Sequence, residues 1–117
     1  MQNRVRMPTP HLDELDPITR HAFRIWIKAN PEVWIAFVKA CFDLWERGIR
    51  KYGAKTIWEH IRYEHDIKTT DERGHWKLNN DYAAYTARAV ADYYPQFKDF
   101  FEFRAVTGLK RVKAEAA

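Results

Sequence analysis

Residues 30–52 read Asn-Pro-Glu-Val-Trp-Ile-Ala-Phe-Val-Lys-Ala-Cys-Phe-Asp-Leu-Trp-Glu-Arg-Gly-Ile-Arg-Lys-Tyr. Trp34, Phe37, Val38, Cys41, Trp45 and Ile49 recur at helical spacing, whereas Glu32, Lys39, Asp43, Glu46 and Arg50 fall largely off that face. The spacing predicts an amphipathic helix from about 31 to 51, ended by Tyr52-Gly53. Each buried aromatic hides about 150–250 Å², so this helix is expected to span the core. Pro31 at the first helical position marks its start, and Asn30-Pro31-Glu32 also closes whatever precedes it.

Upstream, Asp16-Pro17 gives the same start signal, a carboxylate cap followed by proline. Ile18, Ala22, Ile25, Trp26 and Ala29 then predict a first helix. Residues 1–15 hold Pro8 and Pro10 without periodicity and read as a flexible arm. Downstream, a third helix over about 54–65 is predicted to turn Ile57, Trp58 and Ile61 inward. Ile67 and Thr69 then alternate with Lys68 and Thr70. Asp71-Glu72-Arg73-Gly74 reads as a turn, and Trp76 and Leu78 alternate with Lys77. That pattern predicts a β-hairpin at about 66–79.

A fourth helix, capped by Asn79, Asn80 or Asp81, is expected to run to about Tyr94, with Pro95 after it. Its alanines at 83, 84, 87, 89 and 91 favour helix and allow close approach of other backbones. Phe97, Phe100, Phe101 and Phe103 are expected to dock a final turn onto the core. The predicted fold is mainly α: four main helices and a small β-hairpin in one domain at 16–105. A basic tail follows at 106–117.

The chain has 117 residues, 46% hydrophobic, 15% aromatic and 31% charged. Such a composition excludes a disordered chain and leaves room for one core. No stretch free of charge approaches the roughly 18 residues of a membrane span. No apolar run follows Arg4 and Arg6, which argues against a secretory signal and for a cytoplasmic protein. The single cysteine cannot form an internal disulfide or a cysteine zinc cluster, and Cys41 reads as a small core residue.

The net charge of +4 is unevenly placed. Residues 1–46 balance, 47–62 carry +4, 63–103 carry −3, and 104–113 carry another +4. Clustered excess points to a partner of negative charge. A solvated tail and cations favouring helix ends would also account for it. The order helix, helix, helix, hairpin suggests a winged helix-turn-helix, in which the third helix enters the major groove. On that reading Arg47, Arg50, Lys51 and Lys55 contact phosphates. Thr56, Glu59 and Arg62 reach phosphates or base edges, and Lys68, Arg73 and Lys77 support from the hairpin. Asn79, Asn80 and Arg88 offer further polar contacts, although capping alone explains the asparagines.

Enzymatic chemistry finds little support. Glu59-His60 and Glu64-His65-Asp66 set carboxylates beside imidazoles, yet His60 and His65 lie roughly 140° apart around a helix. Two side chains sharing a face, His60 and Glu64, do not define a metal site. No phosphate loop, G-x-S-x-G or H-E-x-x-H occurs. The expectation is a non-enzymatic protein without cofactor or metal that binds duplex DNA. The alternative is a protein-interaction module, a homodimer or an inhibitor of a host protein, motivated by more aromatics than four short helices hide easily.

Three strings, Asn30–Phe37, Tyr52–Glu64 and Lys77–Tyr82 with Ala87-Arg88, resemble a group of small proteins encoded by bacteria, phages and prophages. The resemblance covers roughly residues 20–105. That group has no established activity, so it carries over no site residue. It implies a bacterial or viral cytosolic setting, where small basic domains often bind DNA and aromatic-rich ones often block a host protein. Gly53 stands where such proteins are expected to have serine; glycine also caps helices, so a helix is expected to begin there.

Overall fold

The computed structural model describes residues 8–68 and 80–103. Four helices make up the described residues: α1 (Pro17–Ala29), α2 (Pro31–Glu46), α3 (Ala54–Lys68) and α4 (Asp81–Tyr93). Short 3-10 turns lie at Leu12–Glu14 and Pro95–Phe97. No helix among the described residues is long and apolar enough to cross a membrane.

The helix starts follow the chemistry of their sequences. The Asp16 carboxylate accepts the Thr19 backbone N–H at 2.9 Å and its hydroxyl at 2.7 Å. These bonds hold the carboxyl below its ordinary range and satisfy an orphan donor of α1. Asn30 makes no side-chain cap for α2. Its side-chain amide donates back to the Trp26 carbonyl at 2.8 Å, closing α1, while Pro31 alone marks the start of α2. Asn80 likewise makes no side-chain cap for α4. Gly53 precedes the first residue of α3, as its sequence implies.

α4 occupies the centre. Thr86 through Asp92 are buried without interruption, together with Ala83. A stretch of helix buried all round, as Thr86–Asp92 is, lies between layers rather than on a surface. On one side Ala83, Ala87 and Val90 join Val33, Phe37 and Cys41 of α2, Ile57, Trp58 and Ile61 of α3, and Phe97, Phe100 and Phe101. On the other, Ala89 meets Leu12, Leu15 and Phe23. Aromatic edges fill the gaps: Phe37 lies 6.1 Å from Trp58 and 5.9 Å from Phe101, and Trp45 lies 5.1 Å from Phe97. The inward residues expected of α3 and the docking of Phe97, Phe100 and Phe101 are found as predicted.

Four expectations are corrected. Residues 8–15 are not a flexible arm: Leu12 and Leu15 are buried, and the Asp92 carboxylate accepts the N–H groups of His11 and Leu12, both at 2.9 Å. Residues 1–7 lie outside the described residues. α1 turns Phe23 inward, with Trp26 and Ile27 half-buried, and leaves Ile18 and Ile25 83% and 57% exposed. Phe23 has far more surface to hide than the alanines of the expected face. α2 ends at Glu46 rather than near 51, because Gly48 at φ +87° folds the chain back.

The fourth correction concerns the hairpin. Asp66, Ile67 and Lys68 continue α3, and the described residues contain no strand. No glycine or proline interrupts 54–68, so helix propagates past the point where two alternating residues suggest a strand. The rest of the expected hairpin, 69–79 with Arg73, Lys77 and Asn79, lies outside the described residues, as does the tail beyond 103. A winged helix-turn-helix is not supported.

Asp92 is the polar anchor of the amino-terminal segment. Asp92→Ala strips two backbone N–H groups of their acceptor and is expected to lower stability by about 2–3 kcal/mol in urea denaturation. An exposed carboxylate such as Asp43, paired only with Lys39 across one helix turn, is expected to cost less than about 0.5 kcal/mol.

Candidate nucleic-acid interface at the α2–α3 corner

The link between α2 and α3 is shaped by one glycine. The Gly48 N–H donates to the Trp45 carbonyl at 3.0 Å, and the Ile49 N–H donates to the Leu44 carbonyl at 3.1 Å. With Gly48 in the left-handed region, this is a Schellman closure of α2. Ile49 turns back onto the core, and the Tyr52 N–H donates to the Phe100 carbonyl at 3.0 Å. The link is therefore fastened at both ends, to α2 and to the segment after Pro95.

This fastening decides where the cations go. Residues 47–58 contain four cations and no acid. Arg47, Arg50, Lys51 and Lys55 are all exposed, and none forms an ion pair among the described residues. Thr56 is exposed in the first turn of α3, which also lacks an acid. Lys98 is exposed in the segment tied to Tyr52, with Asp99 beside it; Glu46 is the acid next to Arg47. Positive charge left unpaired at a helix amino terminus favours an anionic partner.

Arg50 has a fixed position within this group. Its guanidinium carbon sits 3.8 Å from the centroid of the Trp45 ring. Nη1 donates to the Trp45 carbonyl at 2.7 Å and to the Ile49 carbonyl at 3.3 Å. Trp45 is held from beneath by Phe97 and Phe100. Tyr52, 38% exposed, lies two residues further on.

The other residues expected to contact nucleic acid are not gathered here. Arg62 is half-buried and donates to Glu59 at 2.9 Å and to Asn80 at 3.1 Å. These three form a polar cluster between α3 and the start of α4, with Glu59 facing solvent. Arg88 is buried at 2% exposure, with Nε donating to Glu14 at 3.1 Å and the guanidinium 5.2 Å from the Phe103 ring. Its charge serves the core and is out of reach of a phosphate. Lys68 ends α3. The solvent side of α3 thus carries Glu59, Tyr63 and Ile67 beside Lys55, rather than a continuous basic strip.

Trp45, Tyr52 and Lys98 belong to the corner although the charge pattern does not point to them. The signal that does exist is the Trp45–Gly48–Arg50 spacing, in which a glycine turn returns an arginine over the preceding tryptophan. Cys41 is fully buried, and desolvation pushes its thiol up to about 12, which removes it as a nucleophile near neutral pH. No group of three metal-binding side chains occurs among the described residues.

Comparison of the chain with protein-family models, with curated proteins and with solved structures yields no match.

Gly48→Ala places a side chain in the left-handed region, where nothing crowds the new Cβ but the backbone itself is strained. It is expected to lower stability by about 1–2 kcal/mol in chemical denaturation. Gly53→Ala, with no positive φ, is expected to cost less than half as much.

Proposed function

We propose that this is a non-enzymatic nucleic-acid-binding protein that holds the phosphate backbone at the α2–α3 corner. The observation that carries this reading is the set of Arg47, Arg50, Lys51 and Lys55: exposed, without ion pairs among the described residues, and carried along the chain between the end of α2 and the first turn of α3. Releasing counterions from the partner makes such a patch favourable for binding and sensitive to salt. The reading differs from insertion of α3 into a groove, because Glu59 is exposed there and Arg62 is already engaged. A wing formed by 69–79 has no part in it.

The test is fluorescence anisotropy on mixed-sequence DNA, single strand and duplex, at about 50 and 200 mM salt. Binding at or below about 10⁻⁴–10⁻⁶ M is expected for at least one form, weakening steeply with salt. Replacing Lys51 and Lys55 together by glutamine is expected to reduce the salt slope by about two, roughly one for each phosphate no longer neutralised. No salt-sensitive binding to either form would sink the reading.

A second reading, association through α1, is favoured by one separate observation. Ile18, Ala22, Ile25 and Ala29 recur at spacings of four, three and four, and all are exposed. The surface is aliphatic, whereas the expected interaction surface is aromatic; among the aromatics of the described residues only Tyr52, Tyr63 and Tyr93 are exposed. Two antiparallel copies of α1 set Ile18 against Ala29 and Ala22 against Ile25, large against small. Sedimentation equilibrium is expected to show a weak dimer that Ile25→Glu dissolves without loss of helicity. A monomer at every concentration up to near-millimolar removes the homodimer.

A further inference from the structure

We propose that the α2–α3 corner selects single-stranded over duplex nucleic acid, with an unpaired base stacked on the Arg50 guanidinium. This rests on the reading of the corner as a phosphate-binding surface and adds what it reads beside the phosphates. Arg50 is exposed, yet it does not extend outward as a free cation would. It lies back over Trp45, 3.8 Å from the ring centroid, and two carbonyls of its own chain fix it there through Nη1. The guanidinium carbon lies over the indole, and the residue stays exposed to solvent. The hydrogens on Nε and Nη2 remain for an acceptor, while the reach needed to probe a groove has been spent.

A planar cation held over an aromatic support offers a stacking surface, and guanidinium planes stack on unpaired bases. In a duplex both faces of every interior base are already covered by neighbours, so the surface finds nothing to stack on. In a single strand the faces are open whatever the base. Tyr52 adds a second surface within about 7 Å of chain. Its position is fixed by the bond from its N–H to Phe100. Arg47, Lys51 and Lys55, exposed within five residues of Arg50 along the chain, bring the charge needed to track a backbone. Basic side chains interleaved with aromatic faces are the chemistry of single-strand grooves. Arg62 is bonded to Glu59 and Asn80 rather than free to read a base edge, and the Glu59 carboxylate repels a duplex laid along α3.

The experiment uses the full chain and three labelled probes: oligothymidylate, oligouridylate and a mixed-sequence duplex, each about 20 nucleotides or base pairs long. Anisotropy titrations are run on wild type, Arg50→Lys and Tyr52→Leu, with circular dichroism to verify folding. Arg50→Lys keeps the charge and removes the plane. At least one single strand is expected to bind about fivefold or more tighter than duplex, and whichever of the two is tighter identifies DNA or RNA as the source. Arg50→Lys is expected to weaken the single strand about five- to tenfold while changing duplex binding less than about twofold; Tyr52→Leu is expected to act in the same direction. Salt-sensitive binding with duplex equal to or tighter than both single strands overturns the inference and leaves the phosphate reading intact. Equal weakening of single strand and duplex by Arg50→Lys also overturns it, since charge placement alone would then be at work. Absence of binding to all three probes overturns both.

Discussion

A helix covered on every side has to be thin, and it has to find partners inside the fold for any charge it carries. α4 meets both conditions. Its alanines let α2, α3 and the Leu12–Leu15 segment approach closely from opposite sides. Its two buried ions, Arg88 and Asp92, are spaced one turn apart and both turn to the amino-terminal segment. Asp92 accepts two backbone N–H groups there, and Arg88 donates to Glu14. A buried carboxylate without such donors would be expensive. The amino-terminal segment is therefore an internal component of the domain, and α1 is positioned by it.

The same centre dictates the aromatic shell. Since alanine leaves shallow depressions along α4, large rings from α2, α3 and the 97–101 segment must supply the volume, meeting mostly edge to face. The shell explains why seventeen aromatics in the described residues do not produce an aromatic surface. Their abundance is the complement of a small-residue helix, and beside three tyrosines the exposed large hydrophobic residues are isoleucines on α1, α2 and α3.

Much of this is legible along the chain. α2 and α3 show their inward faces because Phe37, Cys41, Ile57, Trp58 and Ile61 recur at helical period, and the 47–62 window announces its charge. Two of the misplaced readings share a cause: a local pattern is outweighed by a partner distant in sequence. Residues 8–15 look like an arm until Asp92, eighty residues from Leu12, accepts the backbone N–H groups there. Arg88 looks like one more cation until Glu14 is beside it. On α1, spacing alone does not choose a face, because the apolar positions fit two stripes; only the size of Phe23 decides between them. Asn30 carries the residue type of a helix start, yet its amide serves the helix end just before it.

The corner at α2–α3 follows from these constraints rather than standing apart from them. Trp45 is at the last turn of α2 because the shell needs its inner face against Phe97 and Phe100. Its outer face then emerges where the chain must reverse, and Gly48 provides the reversal. The first long side chain able to lie back over that face is Arg50, whose Nη1 donates to the Trp45 carbonyl, which also accepts the Gly48 N–H. A stacked guanidinium and a cluster of cations without ion pairs among the described residues thus arise from one event, the termination of a helix on a half-buried tryptophan. Replacing Trp45 by leucine would remove the support while leaving every cation in place, so the charge of the corner and its planarity are separable properties of the same turn.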